Sequence, residues 1–171
     1  MATERRKLGK IYQHHYKTGI GAEIGCLKGE FSKFLSTQYK GIVLSIDSFV
    51  GEANIPNDPL TEDECRKNLA GTNCWLIKGD SIEVASGMPD EILDWVYIDA
   101  DHRYEAVKAD LEAWFPKVRK GGIISGHDYT KHGRFGVVKA VDEFCDKHKY
   151  KIEKFFDYGK YASWYLKKWI K

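Results

Sequence analysis

The segment Ile20-Gly21-Ala22-Glu23-Ile24-Gly25-Cys26-Leu27-Lys28-Gly29 contains the transition that decides the fold. Its first five residues form a short apolar run that predicts a buried strand, and residues 29–39 predict a helix. Glycines at positions 25 and 29 allow a tight turn between them and let a ligand approach the backbone without meeting a Cβ. The segment therefore predicts a strand, a turn that accepts a ligand, and a helix.

Strand-like and helix-like stretches continue to alternate from residue 20 to residue 127. The further apolar runs that predict strands are residues 42–46, 74–77, 95–98 and 123–125. Amphipathic stretches between and after them predict helices, the last of them over 137–148. Strands that are apolar on both faces and separated by helices predict a parallel sheet covered on both sides. Residues 151–156 and 163–168 predict an antiparallel hairpin with a turn near Gly159.

Composition limits the function classes that fit the chain. It has 171 residues, 43% hydrophobic and 30% charged, which predicts one ordinary domain over residues 1–171. A formal net charge of +2 argues against a nucleic-acid binder. No apolar run reaches the roughly 20 residues of a membrane helix, and the charged start has no signal-peptide pattern. Four cysteines without CxxC spacing predict reduced thiols and a cytoplasmic protein.

The residues that follow the predicted strands are mostly acidic. Ligands bind parallel α/β sheets beyond the carboxyl ends of the strands. That edge carries Glu23, Asp47, Asp80, Asp99, His127 and Asp128. Such an edge disfavours the pyrophosphate of a dinucleotide, whose GxGxxG fingerprint is also missing. It favours a cationic ligand, with Asp47 placed to accept from ribose hydroxyls and Asp80 from an adenine amine. Cation, ribose and adenine together describe S-adenosylmethionine.

Five segments, in this order, resemble the class I S-adenosylmethionine-dependent methyltransferases of methyltransferase domain family 24. They are residues 21–29, Ile46-Asp47, Lys78-Gly79-Asp80-Ser81, residues 96–104 (VYIDADHRY) and residues 121–129 (GGIISGHDY). The resemblance implies a Rossmann-like, doubly wound α/β fold with a seven-stranded, mostly parallel sheet whose last strand is antiparallel. It implies a transferase that methylates a hydroxyl of a small molecule, such as a sugar or a natural product. Residues 1–19 then form an N-terminal extension, and residues 49–73 a lid loop and short helix.

The resemblance also assigns the residues that bind the cofactor. Glu23 and Gly25 line its methionine end, Asp47 holds the ribose, and Asp80 with Ser81 borders the adenine. The whole expected set is Glu23, Gly25, Gly29, Asp47, Ser48, Asp80, Ser81 and Asp99.

Two motifs at the ends of the fourth and fifth strands predict the reaction chemistry, Asp99-Ala100-Asp101-His102 and His127-Asp128. Methyl transfer to oxygen needs a nucleophile that loses its proton as it attacks, and histidine has a suitable pKa for the base. Both His102 and Asp101 match base positions in relatives. We favour His102, because Asp101 also suits the N-cap of the following helix.

A divalent metal is the second open question at this end. Related enzymes that use magnesium bind it with an acid after the fourth strand and an acidic pair after the fifth. Asp99 and Asp128 match these positions, whereas His127 stands where the pattern has Asp or Glu. Magnesium prefers oxygen ligands, and imidazole suits transition metals better. The substitution therefore puts magnesium in doubt and leaves His127 as a candidate ligand.

The sequence leaves two function classes open. The first is the methyltransferase, with a small-molecule acceptor as its partner. The alternative is a non-catalytic protein that binds S-adenosylmethionine or another adenosine ligand and has lost turnover. With only the short extension before the first strand, a second copy in a homo-oligomer is a candidate to complete the pocket.

Overall fold

Helices and strands alternate along the whole described chain. The computed structural model describes residues 3–51, 58–131, 135–156 and 162–169. The helices are α1 (Thr3–His15), α2 (Glu30–Gln38), α3 (Thr61–Leu69), α4 (Ser81–Ser86), α5 (Tyr104–Trp114) and α6 (Val137–His148). The strands are β1 (Ile20–Ile24), β2 (Ile42–Asp47), β3 (Cys74–Lys78), β4 (Leu93–Ile98), β5 (Val118–Gly126), β6 (Glu153–Phe156) and β7 (Ala162–Lys167).

These seven strands form one sheet in the order β3-β2-β1-β4-β5-β7-β6. Strands β1 to β5 pair in parallel, whereas β7 is antiparallel to both of its neighbours. The predicted class I methyltransferase sheet and the antiparallel pairing of its last two strands are therefore confirmed. The predicted turn near Gly159 lies outside the described residues.

The strand order reverses at β1. Strands β2 and β3 lie on one side of it, and β4 and β5 lie on the other. Connections that leave the carboxyl ends of β1 and β4 therefore diverge, which opens a crevice at that edge of the sheet.

Alternating side chains of β4 contribute to two separate cores. Trp95 and Tyr97 are buried in one cluster with residues of α1 and α2. Val96 and Ile98 point to the opposite face and join a second cluster with residues of α5 and α6. Because successive side chains of a strand point to opposite faces, helices on both sides explain why the strand is apolar throughout.

Helix α1 forms from residues that the sequence assigned only to an N-terminal extension. Its Leu8 and Tyr12 are fully buried. The Tyr12 ring stacks on Trp95 with 4.3 Å between ring centroids, and Tyr12 Oη lies 2.5 Å from Ser125 Oγ. Burial of these side chains holds the helix on the sheet and directs its first turn toward the crevice, where Arg5 contacts Asp99.

Two smaller differences concern α4 and β5. Helix α4 was not predicted, because its six residues are too few for a helical period to be recognised. Strand β5 begins at Val118 rather than Ile123, and its start was not predicted because the exposed, charged Arg119 and Lys120 follow Val118. None of the described helices is long and apolar enough to cross a membrane.

Candidate active site

A cavity of about 1050 Å³ opens at the carboxyl ends of β1 to β4. Its volume lies at the upper end of the range for small-molecule sites. Its wall contains eight of the residues predicted to act in binding or catalysis: Gly25, Asp47, Ser48, Asp80, Ser81, Asp99, Asp101 and His102.

Gly25 allows the chain to turn directly at the cavity wall. Its φ of 87° is left-handed, and a Cβ there would lie 2.3 Å from the carbonyl oxygen of Asp99. The amides of Gly25 and Cys26 both donate to the carbonyl of Ile46, at 2.8 and 3.3 Å. The turn is therefore held between β2 and β4, and a side chain at position 25 is excluded by sterics.

Asp47 ties two loops together at the cavity wall. Its Oδ2 accepts a hydrogen bond from the amide of Leu27 at 2.7 Å, and its Oδ1 accepts one from the amide of Phe49, also at 2.7 Å. An ionised carboxylate has about four acceptor positions, so it retains capacity toward the cavity after these two bonds.

Asp80 and Ser81 differ in how far they remain available to a ligand. Asp80 caps α4 through Oδ1, which accepts from the amides of Ile82 and Glu83 at 2.9 and 3.1 Å. Its Oδ2 makes no hydrogen bond to the described residues, so the capping role and a ligand contact are compatible. The Ser81 hydroxyl bonds to Asp110 and accepts from Trp114 Nε1 at 2.8 Å, which commits it to α5.

Glu23 and Gly29 were expected to contact the cofactor, but they do not line the cavity. Glu23 is 2% exposed and lies on the α2 side of the sheet, where its carboxyl group accepts from the hydroxyl of Ser32. Burial raises the pKa of Glu23 to about 8. Gly29 packs against α3, since a Cβ there would lie 3.0 Å from Cys65 Sγ. Both residues thus lie behind the cavity wall in this structure, and their direct contact with the cofactor stays a prediction.

A continuous chain of charged groups occupies the reaction end of the site. Arg5 Nη2 lies 2.7 Å from Asp99 Oδ2. His102 Nε2 lies 3.5 Å from Asp99 Oδ1 and 2.7 Å from Asp128 Oδ2. His127 Nδ1 lies 3.1 Å from the other oxygen of Asp128. The structure therefore brings together the motifs that follow β4 and β5, as their neighbouring positions in the sheet require.

The two carboxylates change the proton affinity of His102. Burial disfavours the charged imidazole, but hydrogen bonding and attraction by Asp128 and Asp99 outweigh burial and raise the pKa of His102 to about 10. Burial would raise the pKa of the Asp128 carboxyl, but hydrogen bonding and attraction by His102 and His127 outweigh burial and hold this pKa below its usual value. The two carboxylates therefore favour the protonated form of the His102 imidazole.

Asp101 is not the N-cap of α5. The N-cap residue is Arg103, which makes no side-chain cap bond. Asp101 Oδ1 accepts from the Arg103 amide at 2.8 Å, and Oδ2 pairs with Arg103 Nη2 at 2.5 Å. Burial opposes ionisation of Asp101, but these bonds prevail and lower its pKa. A carboxylate stabilised in this way is a weaker base than an imidazole.

The donor atoms suited to a metal come from Asp99, His102 and Asp128. One donor atom from each residue lies within 4.8 Å of the others. His102 rather than His127 therefore completes this group among the described residues. The imidazole nitrogen beside two carboxylate oxygens suits Zn²⁺ or Fe²⁺ better than Mg²⁺, which prefers oxygen ligands alone.

Sequence reasoning missed four residues at this site. Three are exposed apolar residues of the cavity wall, Leu27, Val50 and Ile82, with exposed fractions of 49%, 73% and 40%. Each lies within a few residues of a turn or strand end already identified, so proximity to those motifs was an available signal. The fourth, Arg5, had no such signal, because only the packing of α1 brings it to Asp99.

Comparisons with known proteins agree with this geometry. A family model described as a methyltransferase domain matches residues 22–129, which is more than half of the chain. Among curated proteins, an uncharacterized protein, y4gI, of Sinorhizobium fredii is 34% identical over 64 residues, which cover 36% of this chain and 7% of that protein. The chain thus matches only a small fraction of the length of this relative.

Solved structures share the fold at low identity. An O-methyltransferase of Bacillus cereus in complex with SAH has a TM-score of 0.74 and 17% identity, covering 96% of this chain and 80% of that one. A precorrin-6y C5,15-methyltransferase of Geobacter metallireducens has a TM-score of 0.71 and 17% identity, covering 96% and 87%. Together, the family match, the strand order and the cavity at the switch point show that the chain belongs to the class I S-adenosylmethionine-dependent methyltransferases, in methyltransferase domain family 24.

Proposed function

We propose that the chain transfers the methyl group of S-adenosylmethionine to a hydroxyl oxygen of a small molecule. The observation that carries the proposal is that one cavity holds both the acids suited to a nucleoside, Asp47 and Asp80, and the acid–histidine pair Asp99 and His102. Donor and acceptor bound in such a cavity would meet without a further domain, and correct placement alone contributes several kcal/mol to such reactions.

In this proposal the nucleoside lies along β2 and β3. Asp47 accepts hydrogen bonds from the ribose hydroxyls, with Ser48 beside it, and Asp80 Oδ2 accepts from the adenine amine. The exposed side chains of Val50 and Ile82 would cover apolar faces of the ligand. The cofactor supplies a methyl group made electrophilic by the sulfonium, which would lie at the Asp99 end of the cavity.

His102 is the proposed general base, with Asp101 as the less favoured candidate because Arg103 already pairs with it. Because Nε2 of His102 makes a single in-plane hydrogen bond, the acceptor hydroxyl would have to take the place of Asp128 Oδ2, which lies 2.7 Å from Nε2. Nε2 takes the hydroxyl proton, and Asp128 stabilises the imidazolium that results. A bound sulfonium would disfavour a second positive charge nearby and so bring the pKa of His102 down toward neutrality.

A divalent cation would be held by Asp99, Asp128 and His102, where it would orient the hydroxyl and lower its pKa. A histidine that ligates a metal through Nε2 cannot accept a proton there. Base catalysis by His102 and ligation by His102 are therefore exclusive, and we favour the first because Arg5 already neutralises Asp99.

The alternative is a protein that binds S-adenosylmethionine without turning it over. One observation favours it. Burial lowers the pKa of His102, but the carboxylates of Asp128 and Asp99 raise it to about 10, and a protonated imidazole cannot act as a general base. Calorimetric titration with S-adenosylmethionine and S-adenosylhomocysteine first establishes which ligand binds. NADH, a dinucleotide whose GxGxxG fingerprint the chain lacks, serves as the comparison ligand.

Incubation with isotopically labelled cofactor and mixtures of sugars and hydroxylated natural products then tests turnover. The methyltransferase predicts S-adenosylhomocysteine and a product that fragmentation shows to be O-methylated. Tight binding of the cofactor with no S-adenosylhomocysteine from any mixture would favour the non-catalytic binder. Methylation of nitrogen or carbon would contradict the proposed acceptor.

We further propose that the protein acts in the cytoplasm and assembles as a homo-oligomer. Its four cysteines form no disulfide, which fits a reducing compartment. Light scattering on the purified chain tests the assembly, and a monomeric mass at micromolar concentration would contradict it.

A further inference from the structure

Arg5 places a permanent positive charge against a carboxylate of the reaction end. The Arg5 Nη2–Asp99 Oδ2 distance is 2.7 Å, and the two side chains are 27% and 9% exposed. The guanidinium carbon also lies 5.8 Å from the ring centre of Phe31. Because guanidinium is not deprotonated in proteins, Asp99 has a cationic partner as long as α1 is docked.

Anchoring α1 does not account for this contact. The buried side chains Leu8 and Tyr12, farther along the helix, supply the apolar contact that holds it on the sheet. A partly exposed ion pair adds little to that. The adjacent Arg6 is exposed, so the first turn directs only one of its two arginines into the site.

The same Asp99 carboxylate belongs to the cluster of Asp99, His102 and Asp128 that could ligate a cation. Both of its oxygens already face positive or proton-bearing groups, Oδ2 toward Arg5 and Oδ1 toward His102. A divalent cation bound to Asp99 would lie within a few ångströms of the guanidinium, where like charges repel strongly in a partly buried site.

We propose that Arg5 competes with divalent cations for Asp99 and thereby sets the cation affinity of the site. While Arg5 pairs with Asp99, the carboxylate is neutralised and held in place without a metal. A cation must displace the guanidinium from Asp99 before it can bind. This inference rests on the cluster used in the proposed function, but it does not depend on the acceptor or on turnover.

Binding of Mn²⁺ alone tests the inference, because free Mn²⁺ can be counted by electron paramagnetic resonance without cofactor. The full chain, Arg5→Gln and Arg6→Gln are titrated in parallel. Arg6→Gln is the matched control, since it removes the same charge from the next residue of the helix. We expect Arg5→Gln to bind Mn²⁺ at least tenfold more tightly than the unmodified chain, and Arg6→Gln to stay within twofold of it.

Two further variants make the result specific. Arg5→Lys keeps the charge and should remain near the unmodified chain, whereas Arg5→Met removes it but keeps an apolar stem over Phe31, in case Arg5→Gln folds poorly. Adding Asp99→Asn to the charge-free variant should abolish the gain.

Equal or weaker Mn²⁺ binding by the charge-free variants, or no binding by any protein, would overturn the inference. A gain that survives Asp99→Asn would also overturn it, because the cation would then bind elsewhere. Absence of methyl transfer would count against the proposed function only, since neither cofactor nor acceptor enters this measurement.

Discussion

The Nε2 atom of His102 lies 2.7 Å from Oδ2 of Asp128, a residue that follows a different strand of the sheet. This contact joins the motif after β4 to the motif after β5 and sets the protonation of the proposed base. Asp128 itself has a left-handed φ of 53°, which aspartate tolerates better than most residues. The backbone there is adapted to present its carboxylate to both His102 and His127.

Replacing His102 should separate catalysis from cofactor binding. We expect His102→Ala to lower turnover about 100-fold or more, because the acceptor hydroxyl loses its general base. Cofactor affinity by calorimetry should change by less than about twofold, because His102 does not hold the nucleoside. His14→Ala, at an exposed position of α1, is the control. Unchanged turnover of His102→Ala at every pH would exclude His102 as the base.

Replacing Asp128 should shift the pH dependence of turnover. Burial lowers the pKa of His102, but Asp128 and Asp99 raise it to about 10, and a base works only when deprotonated. Removal of one carboxylate in Asp128→Asn lowers this pKa. The rise of kcat/KM with pH should therefore move to lower pH by about one unit or more, even though maximal turnover falls. A profile that keeps its midpoint, or moves to higher pH, would contradict the assignment.

Asp47 should contribute to cofactor affinity through charge-assisted hydrogen bonds. We expect Asp47→Ala to weaken binding of S-adenosylmethionine by roughly 1–3 kcal/mol, measured by calorimetry. Because Asp47 also holds the amides of Leu27 and Phe49, thermal unfolding of the same protein must show that it remains folded. Asp63→Ala, on the exposed side of α3, should bind the cofactor normally. Equal affinity of the two variants would remove Asp47 from the binding site.

The buried carboxyl group of Glu23 should make stability depend on pH. Burial raises its pKa from 4.5 to about 8, so the folded protein binds a proton more tightly than the unfolded chain. The stabilisation is fully present below about pH 4.5 and is lost as pH rises toward 8. Raising the pH from 5 to 9 should therefore lower the free energy of unfolding in both proteins, but by roughly 2–4 kcal/mol less in Glu23→Gln than in the unmodified chain. Urea denaturation at both pH values measures this, and parallel losses in the two proteins would contradict it.

The aromatic contact between Tyr12 and Trp95 should make α1 part of the folded unit. Tyr12→Ala removes a fully buried ring and should lower the unfolding free energy by about 3–5 kcal/mol, whereas Tyr12→Phe loses only the Ser125 contact, about 1 kcal/mol. Chemical denaturation measures both changes. A loss below about 1 kcal/mol for Tyr12→Ala would mean that α1 docks only weakly, contrary to its described packing.

Sequence patterns located the strand ends well because each strand combines an apolar run with a polar residue at its carboxyl end. Asp47 and Asp80 could be predicted in this way, and the parallel sheet then required them to share one edge. The direction of the Glu23 side chain could not be predicted, because a shift of one position along a strand decides whether a side chain points into the crevice or behind it. Its direction toward Ser32 depends on the register of β1, which the sequence alone does not specify.

Contacts between residues far apart in the chain could not be predicted from sequence patterns either. Arg5 reaches Asp99 only because Tyr12 and Leu8 dock α1 beside α2, and no local pattern encodes that docking. The choice of His102 over His127 as the third member of the acid–histidine cluster depends on side-chain direction in two separate loops. Spacing identified the candidates, and tertiary packing selected among them.

A crystal structure of the chain with S-adenosylhomocysteine would test the central claim most directly. We predict ribose hydroxyls within hydrogen-bonding distance of the Asp47 carboxylate, the adenine beside Asp80, and the sulfur directed toward Asp99 and His102. A ligand bound with its sulfur remote from His102, or outside the cavity formed by the ends of β1 to β4, would contradict the proposed methyl-transfer site.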